Sequence, residues 1–361
     1  MHTNVYQNVC EIDPKLERAV VETALTVKLG LDVHAADIVV CRQDDGQVRK
    51  PGRRMSWPRF LEWVEELVRS GERVASCYEA GPCGYGLHRQ LTALGIVNFV
   101  VVPKRWDPAS RVKTDQRDAG ELCDALDRYL RGSPKAFSVV RVPTPEQEQR
   151  RALGRQRARL LQERQRCVVR GHGLMLGQGI QAPANWWRAP AWAELREQLP
   201  AWLRGQVADW QEQALALEKK IEHWSEQVEA QASGELIPKG VGVLTSALIG
   251  MEVLDWSRFR NRRQVASYTG LCPSESSSGN RRRQGAITKH GNPRLRHQLV
   301  EAVWRLQLWQ PDYPPLRKLR EAQGSRARRR AVVAVARRLA IDLWRIRTGQ
   351  CPAEKLGLKL R

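Results

Sequence analysis

The first part of the chain, residues 26–142, carries short apolar runs that alternate with amphipathic stretches. Short runs rich in β-branched residues and bounded by turn residues predict strands, whereas apolar residues three and four positions apart predict helices. The predicted order is three strands, then helix, strand, helix, strand and helix. We place the strands at 26–34, 36–42, 47–53, 73–78 and 96–102, and the helices at about 57–70, 84–94 and 115–130.

The middle of the chain consists of long stretches of Arg, Gln, Glu, Leu and Trp with helical spacing. We predict two long helices, at about 146–176 and 192–231, separated by a break that is rich in Gly and Pro. Two consecutive long helices form an antiparallel hairpin or a coiled coil. The pattern leaves open whether this pair is a dimerisation arm, an arm that spans nucleic acid, or a helical linker.

The last region begins with Ile237-Pro238-Lys239-Gly240-Val241-Gly242, directly before a predicted helix. Glycines at the start of a helix leave its first N–H groups open to a phosphate, as in a helix-hairpin-helix element. An ordinary turn before a helix explains the pattern equally well. Beyond it we predict a flexible loop rich in Ser and Gly at 273–279, and helices at 292–305 and 323–347.

The order of the first eight elements is that of an RNase H-like (RuvC-like) fold, so the predicted fold class is α/β plus α. We divide the chain into a lead-in at 1–25, an RNase H-like catalytic domain at 26–144, a helical hairpin or coiled coil at 145–233, and a mainly α C-terminal domain at 234–361. The lead-in has no signal-peptide pattern, and no run of 18 apolar residues occurs in the sequence. We therefore expect no membrane segment.

Charge gives the first indication of a partner. The formal net charge is +21, and residues 281–361 contain 21 Lys and Arg against 5 Asp and Glu, with Arg dominating. A field of this sign attracts polyanions, and guanidinium groups bind phosphates through two parallel hydrogen bonds. We expect a nucleic-acid-binding protein with a basic C-terminal tail. The eight cysteines form no C-x-x-C pair, which predicts free thiols in a reducing cytoplasm.

The chain also contains thirteen tryptophans. Trp57, Trp63 and Trp304 fall on apolar helical faces, and we predict that they belong to the core. Trp186 and Trp187 stand beside a break rich in proline, where they either pack in a core or stack on bases of a nucleic acid.

Four acids occupy positions that the predicted fold brings together. Asp32 and Glu79 end the first and fourth strands, which are neighbours in an RNase H-like sheet, and Asp115 and Asp118 lie one turn apart at the start of the last helix. Carboxylates gathered in this way repel one another unless a cation neutralises them. Mg²⁺ prefers oxygen ligands and bridges phosphate oxygens, so we predict a Mg²⁺ site, with Mn²⁺ as a substitute.

The motifs around these acids resemble a known family. Gly30-Leu31-Asp32-Val33-His34, Tyr78-Glu79-Ala80 and the run 113–119 (KTDQRDA) are similar to the DEDD transposases of the insertion sequence 110 type, including their 1111 subgroup and the Piv-like DNA invertases. The runs 268–273 (YTGLCP) and 287–296 (ITKHGNPRLR) follow in the family's order, with Ser278-Gly279 and three arginines between them. The resemblance covers residues 27–347, and its departures, at Ala80 and Pro82-Cys83, affect no catalytic group.

The resemblance implies a nucleoid-associated bacterial recombinase in which the Ser278 hydroxyl, with Ser277 as the fallback, attacks DNA. It also implies a structured non-coding guide RNA, and a dimer or tetramer in which the RNase H-like domain of one subunit completes a site with the serine domain of another. Nucleic-acid contacts are expected from Lys113, Lys239, Gly240, Gly242, Arg281, Arg282, Arg283, Lys289, Arg294 and Arg296.

Without the resemblance, the residues leave other functions open. Ser276, Ser277 and Ser278 alone favour a flexible loop. The carboxylates also suit a nuclease similar to a Holliday-junction resolvase, in which water attacks the phosphate. A non-catalytic nucleic-acid-binding scaffold is a further alternative, which four intact acids disfavour. An actin-like sugar kinase would need glycine-rich phosphate loops, which this chain lacks.

Overall fold

The computed structural model describes residues 26–103, 114–232, 237–278 and 281–361, and of residues 277, 278, 281 and 282 it describes the backbone alone. The chain forms two compact units that divide between Val142 and Pro143. The predicted lead-in and Lys113 lie outside the described residues. The predicted division at 144/145 and 233/234 stays a prediction.

Unit 1 is built on a five-stranded mixed sheet. Its elements are β1 (Val27–Val33), β2 (Asp37–Asp44), β3 (Arg53–Ser56), α1 (Trp57–Arg69), β4 (Val74–Glu79), α2 (Gly86–Ala93), β5 (Val97–Val101) and α3 (Asp115–Leu130). The strand order in the sheet is β3-β2-β1-β4-β5. The first three strands form an antiparallel meander, and β4 and β5 run parallel to β1. The predicted order of strands and helices is confirmed.

The predicted third strand at 47–53 is wrong, because β3 starts only at Arg53. Pro51 has no N–H to donate to a ladder and is followed by Gly52, so pairing with β2 begins after them. Ser56 occupies the predicted N-cap position of α1, but its side chain makes no capping hydrogen bond there.

The two faces of the sheet are covered by different helices. Leu29 and Leu31 belong to a buried cluster with Phe60 of α1 and Leu87 of α2. Gly30 points to the opposite face, where α3 packs so closely that a Cβ at Gly30 would collide with the Ala119 carbonyl oxygen and lie 2.9 Å from the Cα of Cys123. Residues 30 and 32 therefore lie on the α3 side of β1, because side chains alternate along a strand.

Unit 2 begins with an antiparallel pair of long helices, α4 (Pro145–Leu176) and α6 (Ala201–Glu229), as predicted. Arg157 donates to Ser225 at 2.7 Å, and Arg164 further along α4 pairs with Glu218. The predicted single helix at 192–231 is wrong. It is divided into α5 (Ala191–Gln198) and α6, because Pro200 between them cannot continue a helix.

The structure decides between the two alternatives for Trp186 and Trp187 and corrects the prediction for Trp304. Trp186 and Trp187 are buried, and the Trp186 indole donates to the Val168 carbonyl at 3.2 Å. They pack in the core of the hairpin, so the core alternative is confirmed and the base-stacking alternative is wrong. Trp304, which we placed in a core, is 42% exposed.

The rest of unit 2 is mainly helical. Its elements are α7 (Val243–Val253), α8 (Arg262–Thr269), β6 (Pro273–Ser278), β7 (Arg281–Ile287), α9 (Pro293–Trp309), α10 (Arg317–Arg320) and α11 (Gly324–Arg347), with 3-10 turns at Pro314–Leu316 and Glu354–Leu356. A core between α9 and α11 buries Leu299 and Leu339 completely. The predicted flexible loop at 273–279 is wrong, because residues 273–278 form β6, which pairs antiparallel with β7.

Two further expectations concern membranes and thiols. Among the described residues, no helix combines the length and the apolar character that crossing a bilayer requires.

The seven cysteines in the described ranges are all free thiols, as predicted. Burial raises the pKa of the Cys77 thiol, which keeps that group protonated and unreactive.

Candidate functional site

The strand register places two of the predicted acids side by side. Leu31 of β1 is paired with Tyr78 of β4, so the next residues on these parallel strands, Asp32 and Glu79, occupy neighbouring positions. Asp32 lies on the face that α3 covers. Glu79 lies on the same face, because it is two residues after Cys77 on β4, whose thiol donates to the Leu122 carbonyl of α3. Both acids are half-buried. The sequence prediction that the first and fourth strands are neighbours is confirmed.

The other two acids begin the helix that covers this face. Thr114 is the N-cap of α3, and its side chain accepts a hydrogen bond from the Arg117 amide. Asp115 and Asp118 lie in the first turn, where negative charge is stabilised by the helix dipole, and their spacing puts both on one side of the helix. The close approach of α3 to Gly30 brings this first turn over the end of β1.

Three side chains converge at this point. One ligand atom each of Asp32, His34 and Asp115 lies within 4.8 Å of the other two. The His34 Nε2 atom is 3.3 Å from Asp32 Oδ2 and 3.5 Å from Asp115 Oδ2. Within the described ranges, Glu79 and Asp118 do not complete this three-membered group, although both lie next to it in register or one helical turn away.

His34 is the residue that the sequence interpretation missed. It belongs to the same motif as Asp32, Gly30-Leu31-Asp32-Val33-His34, but the sequence motif gave it no predicted role. The available signal was the spacing, because residues i and i+2 at the end of a strand point to the same face.

A cation of the protein also contacts this site. Arg54 on the edge strand β3 donates to Asp115 and binds both oxygens of Asp37 at 2.8 Å. The bond to Asp37, and after it the bond to Asp115, raises the pKa of the Arg54 guanidinium above its usual value. Arg54 therefore places a positive charge beside Asp115.

The donor set fits a divalent cation. Carboxylates are ordinary ligands of Mg²⁺ and Mn²⁺, and an imidazole is an ordinary ligand of first-row transition metals. The His34 Nε2 atom is shielded from solvent, and among the described residues it makes no hydrogen bond, although two carboxylate oxygens lie close to it. A buried nitrogen without a partner is costly, and a bound cation would satisfy it.

The predicted nucleophile lies on the hairpin in unit 2. Ser278 is the last residue of β6 and is paired with Arg281, and Ser277 is paired with Arg282. Arg283 of β7, Lys289 and Arg294 have exposed side chains. The backbone of the hairpin thus sets the predicted serines opposite the predicted arginines.

The motifs on either side of the hairpin anchor its two ends. The Tyr268 hydroxyl donates to the Glu252 carbonyl at 2.7 Å, and Asn292 Nδ2 donates to Glu252 Oε2 at 2.7 Å. Gly291 has φ +148°, and a Cβ there would lie 2.5 Å from the Gly270 nitrogen. Arg296 is used in the same way, since it donates to the Thr269 carbonyl at 3.1 Å.

The predicted phosphate-binding turn precedes α7. Gly240 has φ +94°, and a Cβ there would lie 2.7 Å from the Cβ of Trp309, so only glycine fits. Lys239 lies over the Trp309 ring at 5.9 Å, and Gly242 is the N-cap of α7. The turn is anchored by a hydrogen bond from Gln310 Nε2 to the Lys239 carbonyl at 2.6 Å.

Comparison with known proteins agrees with the motifs. Residues 237–316, which include the serine hairpin, match the profile of the "Transposase IS116/IS110/IS902 family". A protein named "Putative transposase y4rJ" from Sinorhizobium fredii is 33% identical over 301 residues, which are 74% of this chain and 75% of the relative. The chain belongs to this transposase family. The resemblance of the sequence motifs to this transposase family is thereby confirmed, as far as membership of the family is concerned.

Two other relatives of the transposase extend the comparison. The transposase for insertion sequence element IS1111A of Coxiella burnetii is 25% identical over 354 residues, which are 89% of this chain and 90% of the relative. The transposase for insertion sequence element IS1328 of Yersinia enterocolitica is 25% identical over 322 residues, 85% of this chain and 92% of the relative.

Proposed function

We propose that this transposase cuts and rejoins DNA through a covalent phosphoserine intermediate at Ser278, with a divalent cation held by Asp32, Glu79, Asp115 and Asp118. We assign it to the 1111 subgroup of DEDD transposases, and we propose an RNase H-like fold for unit 1. The protein works as a homo-oligomer on element ends and target DNA, guided by a structured non-coding RNA. The register that sets Asp32 beside Glu79 under the first turn of α3 is the observation that carries this proposal.

The carboxylates support the first half of the chemistry. Gly30 lets the start of α3 approach β1, so that Asp115 comes close to Asp32. When bound, Mg²⁺ or Mn²⁺ supplies positive charge that stabilises the phosphoryl oxygens in the transition state. The carboxylates hold that charge in position. Because they are fixed by a strand end and a helix start, they require little rearrangement.

The serine supplies the second half. Its Oγ loses a proton to solvent and forms a bond to the phosphorus, while the bond from phosphorus to the 3′ oxygen breaks and that oxygen takes up a proton. The phosphodiester energy is kept in the new phosphoserine bond, so rejoining needs no nucleotide cofactor. The reverse attack by a 3′ hydroxyl on the phosphoserine restores the serine.

The positive charge supports a nucleic-acid substrate. Residues 281–361 combine 21 Lys and Arg with 5 Asp and Glu, and the exposed groups include Arg283, Lys289 and Arg294. Contacts to phosphate from such groups position DNA or RNA without reading its sequence. Further contacts to nucleic acid are proposed for Arg281, Arg282, Lys113, Lys239, Gly240, Gly242 and Arg296.

A trapped covalent adduct tests the proposal. A duplex carrying the DNA that flanks the gene, nicked beside the cleavage point, should leave protein joined to DNA that survives denaturant and is released by protease. Ser278→Ala should lose the adduct. Ser276→Ala is the matched control, because residue 276 lies on the same strand and the same face, and it should keep the adduct.

The same experiment separates the alternatives. Loss of the adduct in Ser277→Ala instead would move the nucleophile to the fallback residue. Cleavage that continues in both variants, but stops in EDTA, would make water the nucleophile, as in a resolvase. The guide RNA is tested on the same preparation: RNA that co-purifies should map to the non-coding flank of the gene, and its absence would remove that part of the proposal.

A further inference from the structure

We propose that His34 is itself a ligand of the cation, so that the site contains nitrogen as well as oxygen and prefers a first-row transition metal such as Mn²⁺ over Mg²⁺. This inference rests on the cation site of the proposed function, and it adds a residue and a metal preference to the four carboxylates. It applies to the group formed by Asp32, His34 and Asp115.

The geometry of the three donors supports a shared cation. Ligands bound at about 2.1 Å lie about 3 Å apart when adjacent and about 4.2 Å apart when opposite. His34 Nε2 lies 3.3 Å from Asp32 Oδ2 and 3.5 Å from Asp115 Oδ2, and the three ligand atoms are within 4.8 Å of one another. Small side-chain rotations are enough to place all three around one ion.

The state of the imidazole nitrogen points the same way. If His34 Nε2 served to hold the carboxylates together, it would donate a hydrogen bond to one of them. Among the described residues it makes no hydrogen bond, and the Nε2 atom itself is shielded from solvent, although the His34 side chain is 39% exposed. The described groups therefore leave its polar demand unmet. A cation among the three groups meets this demand and also relieves the repulsion between the two carboxylates.

The backbone fixes His34 in this position before any metal arrives. The His34 amide donates to the Asp37 carbonyl at 2.9 Å, which closes the turn from β1 to β2. The Trp57 indole at the start of α1 donates to the His34 carbonyl at 3.0 Å. His34 directly follows the last residue of β1, and its Nε2 atom lies 3.3 Å from Asp32 Oδ2, so both side chains reach the same point. The ligand pair is therefore preorganised.

The ligand types determine the metal preference. Mg²⁺ favours oxygen ligands and gives up its water molecules reluctantly, whereas imidazole binds first-row transition metals well. Replacing one oxygen by a nitrogen therefore raises affinity for Mn²⁺ relative to Mg²⁺. Arg54 donates a hydrogen bond to Asp115. A cation must therefore either displace Arg54 from this carboxylate or bind the other carboxylate oxygen of Asp115.

The test measures metal binding to the full chain after nucleic acid has been removed. Binding of Mn²⁺ is followed by the loss of the electron paramagnetic resonance signal of free Mn²⁺, and Mg²⁺ binding by competition. Pulsed measurements detect the nitrogen nucleus of a coordinated imidazole. The variants are His34→Gln, which offers an amide oxygen instead of the nitrogen, and His223→Ala, which removes an exposed imidazole on α6.

We expect the nitrogen signal in the unaltered protein and in His223→Ala, and its loss in His34→Gln. Mn²⁺ affinity should fall at least about tenfold in His34→Gln, while Mg²⁺ affinity changes less than about threefold. Circular dichroism checks that the variant is folded, and His34→Ala repeats the comparison if the glutamine variant is not.

Two results would overturn the inference, and they differ in what they leave standing. If Mn²⁺ binds and the nitrogen signal is unchanged in the His34 variants, the cation site of the proposed function remains and His34 is not its ligand. If the unaltered protein binds neither Mn²⁺ nor Mg²⁺, both the inference and the proposed cation site fail.

Discussion

Single residues decide how much charge the carboxylate site carries. Asp32 and Asp115 lie close together, and the guanidinium of Arg54 contacts Asp115. Arg54 is anchored from the other side by Asp37, at the edge of the sheet, so it is positioned rather than mobile. It therefore lowers the repulsion between the carboxylates, and it would compete with the proposed cation for Asp115.

We predict that Arg54→Gln binds Mn²⁺ more tightly, by about fivefold, because one positive charge near the cation is removed. The measurement is a Mn²⁺ titration of the full chain. Arg59→Gln is the control, since Arg59 in the same unit pairs only with Glu62 and Glu66 on the outer surface of α1 in the described structure. A lower Mn²⁺ affinity in Arg54→Gln would show that Arg54 holds Asp115 in its binding position.

At the scale of elements, the approach of α3 to β1 forms the site. Because Gly30 has no side chain, the backbone of α3 at Ala119 and Cys123 lies directly against the strand. A larger residue would push the helix outward and would separate Asp115 from Asp32. Gly30 belongs to the same sequence motif as Asp32, and the close packing of α3 supplies the reason for the glycine.

We predict that Gly30→Ala lowers the free energy of unfolding by about 3 kcal/mol or more, because the added Cβ overlaps backbone atoms that cannot rotate away. Urea denaturation followed by circular dichroism measures the effect. Gly86→Ala is the matched control: nothing lies within 4 Å of a Cβ there, and its stability should change by less than about 1 kcal/mol. Similar stabilities for the two variants would contradict the close packing of α3 on β1.

The family motifs of unit 2 also act at the scale of elements. The motif residues on either side of the β6–β7 hairpin contact the protein itself. Tyr268 and Asn292 bind Glu252, and Gly270 and Gly291 let the two ends of the hairpin approach each other closely. The motif therefore presents a hairpin with serines opposite arginines on a fixed base. This arrangement suits a nucleophile that must be held in line with a phosphodiester.

At the scale of the molecule, the excess of positive charge is concentrated in the last 81 residues. The exposed arginines at the start of α11 illustrate it: among the described residues, no carboxylate lies within ion-pair distance of Arg328, Arg329 or Arg330. Many other exposed arginines have acidic partners, as Arg69 has Glu65. Arginines without carboxylate partners are available to phosphates.

We predict that replacing Arg328, Arg329 and Arg330 by Gln weakens duplex DNA binding and makes the plot of log affinity against log salt less steep, by up to about 0.9 for each phosphate that is no longer neutralised. Fluorescence anisotropy over a salt series measures both quantities. A control with the same loss of charge replaces Arg59, Arg69 and Arg196, each of which pairs with Glu. Equal slopes for the two triple variants would show that α11 does not contact DNA.

The sequence alone determined those features that depend on local pattern and composition. The alternation of short apolar runs and amphipathic stretches indicated the order of β1 to α3, because side-chain period follows secondary structure. The positions of Asp32 and Glu79 at strand ends, the first-turn acids of α3 and the excess of Arg at the C-terminus were also readable in this way. Family membership followed from the same motifs.

Tertiary structure alone decided the contacts between residues distant in sequence. Ser276 and Arg283 pair in a two-stranded antiparallel ribbon. Its strands consist mostly of polar residues, so no alternation of apolar and polar positions predicts them, although Gly279-Asn280 is a sequence typical of hairpin turns. Trp186, which lies in the segment between two helices, is buried because Gly171 on α4 leaves room for its ring. His34, Arg54 and Asp115 meet because α3 and β3 pack beside the end of β1. Such convergence depends on how elements pack, and no local pattern encodes it.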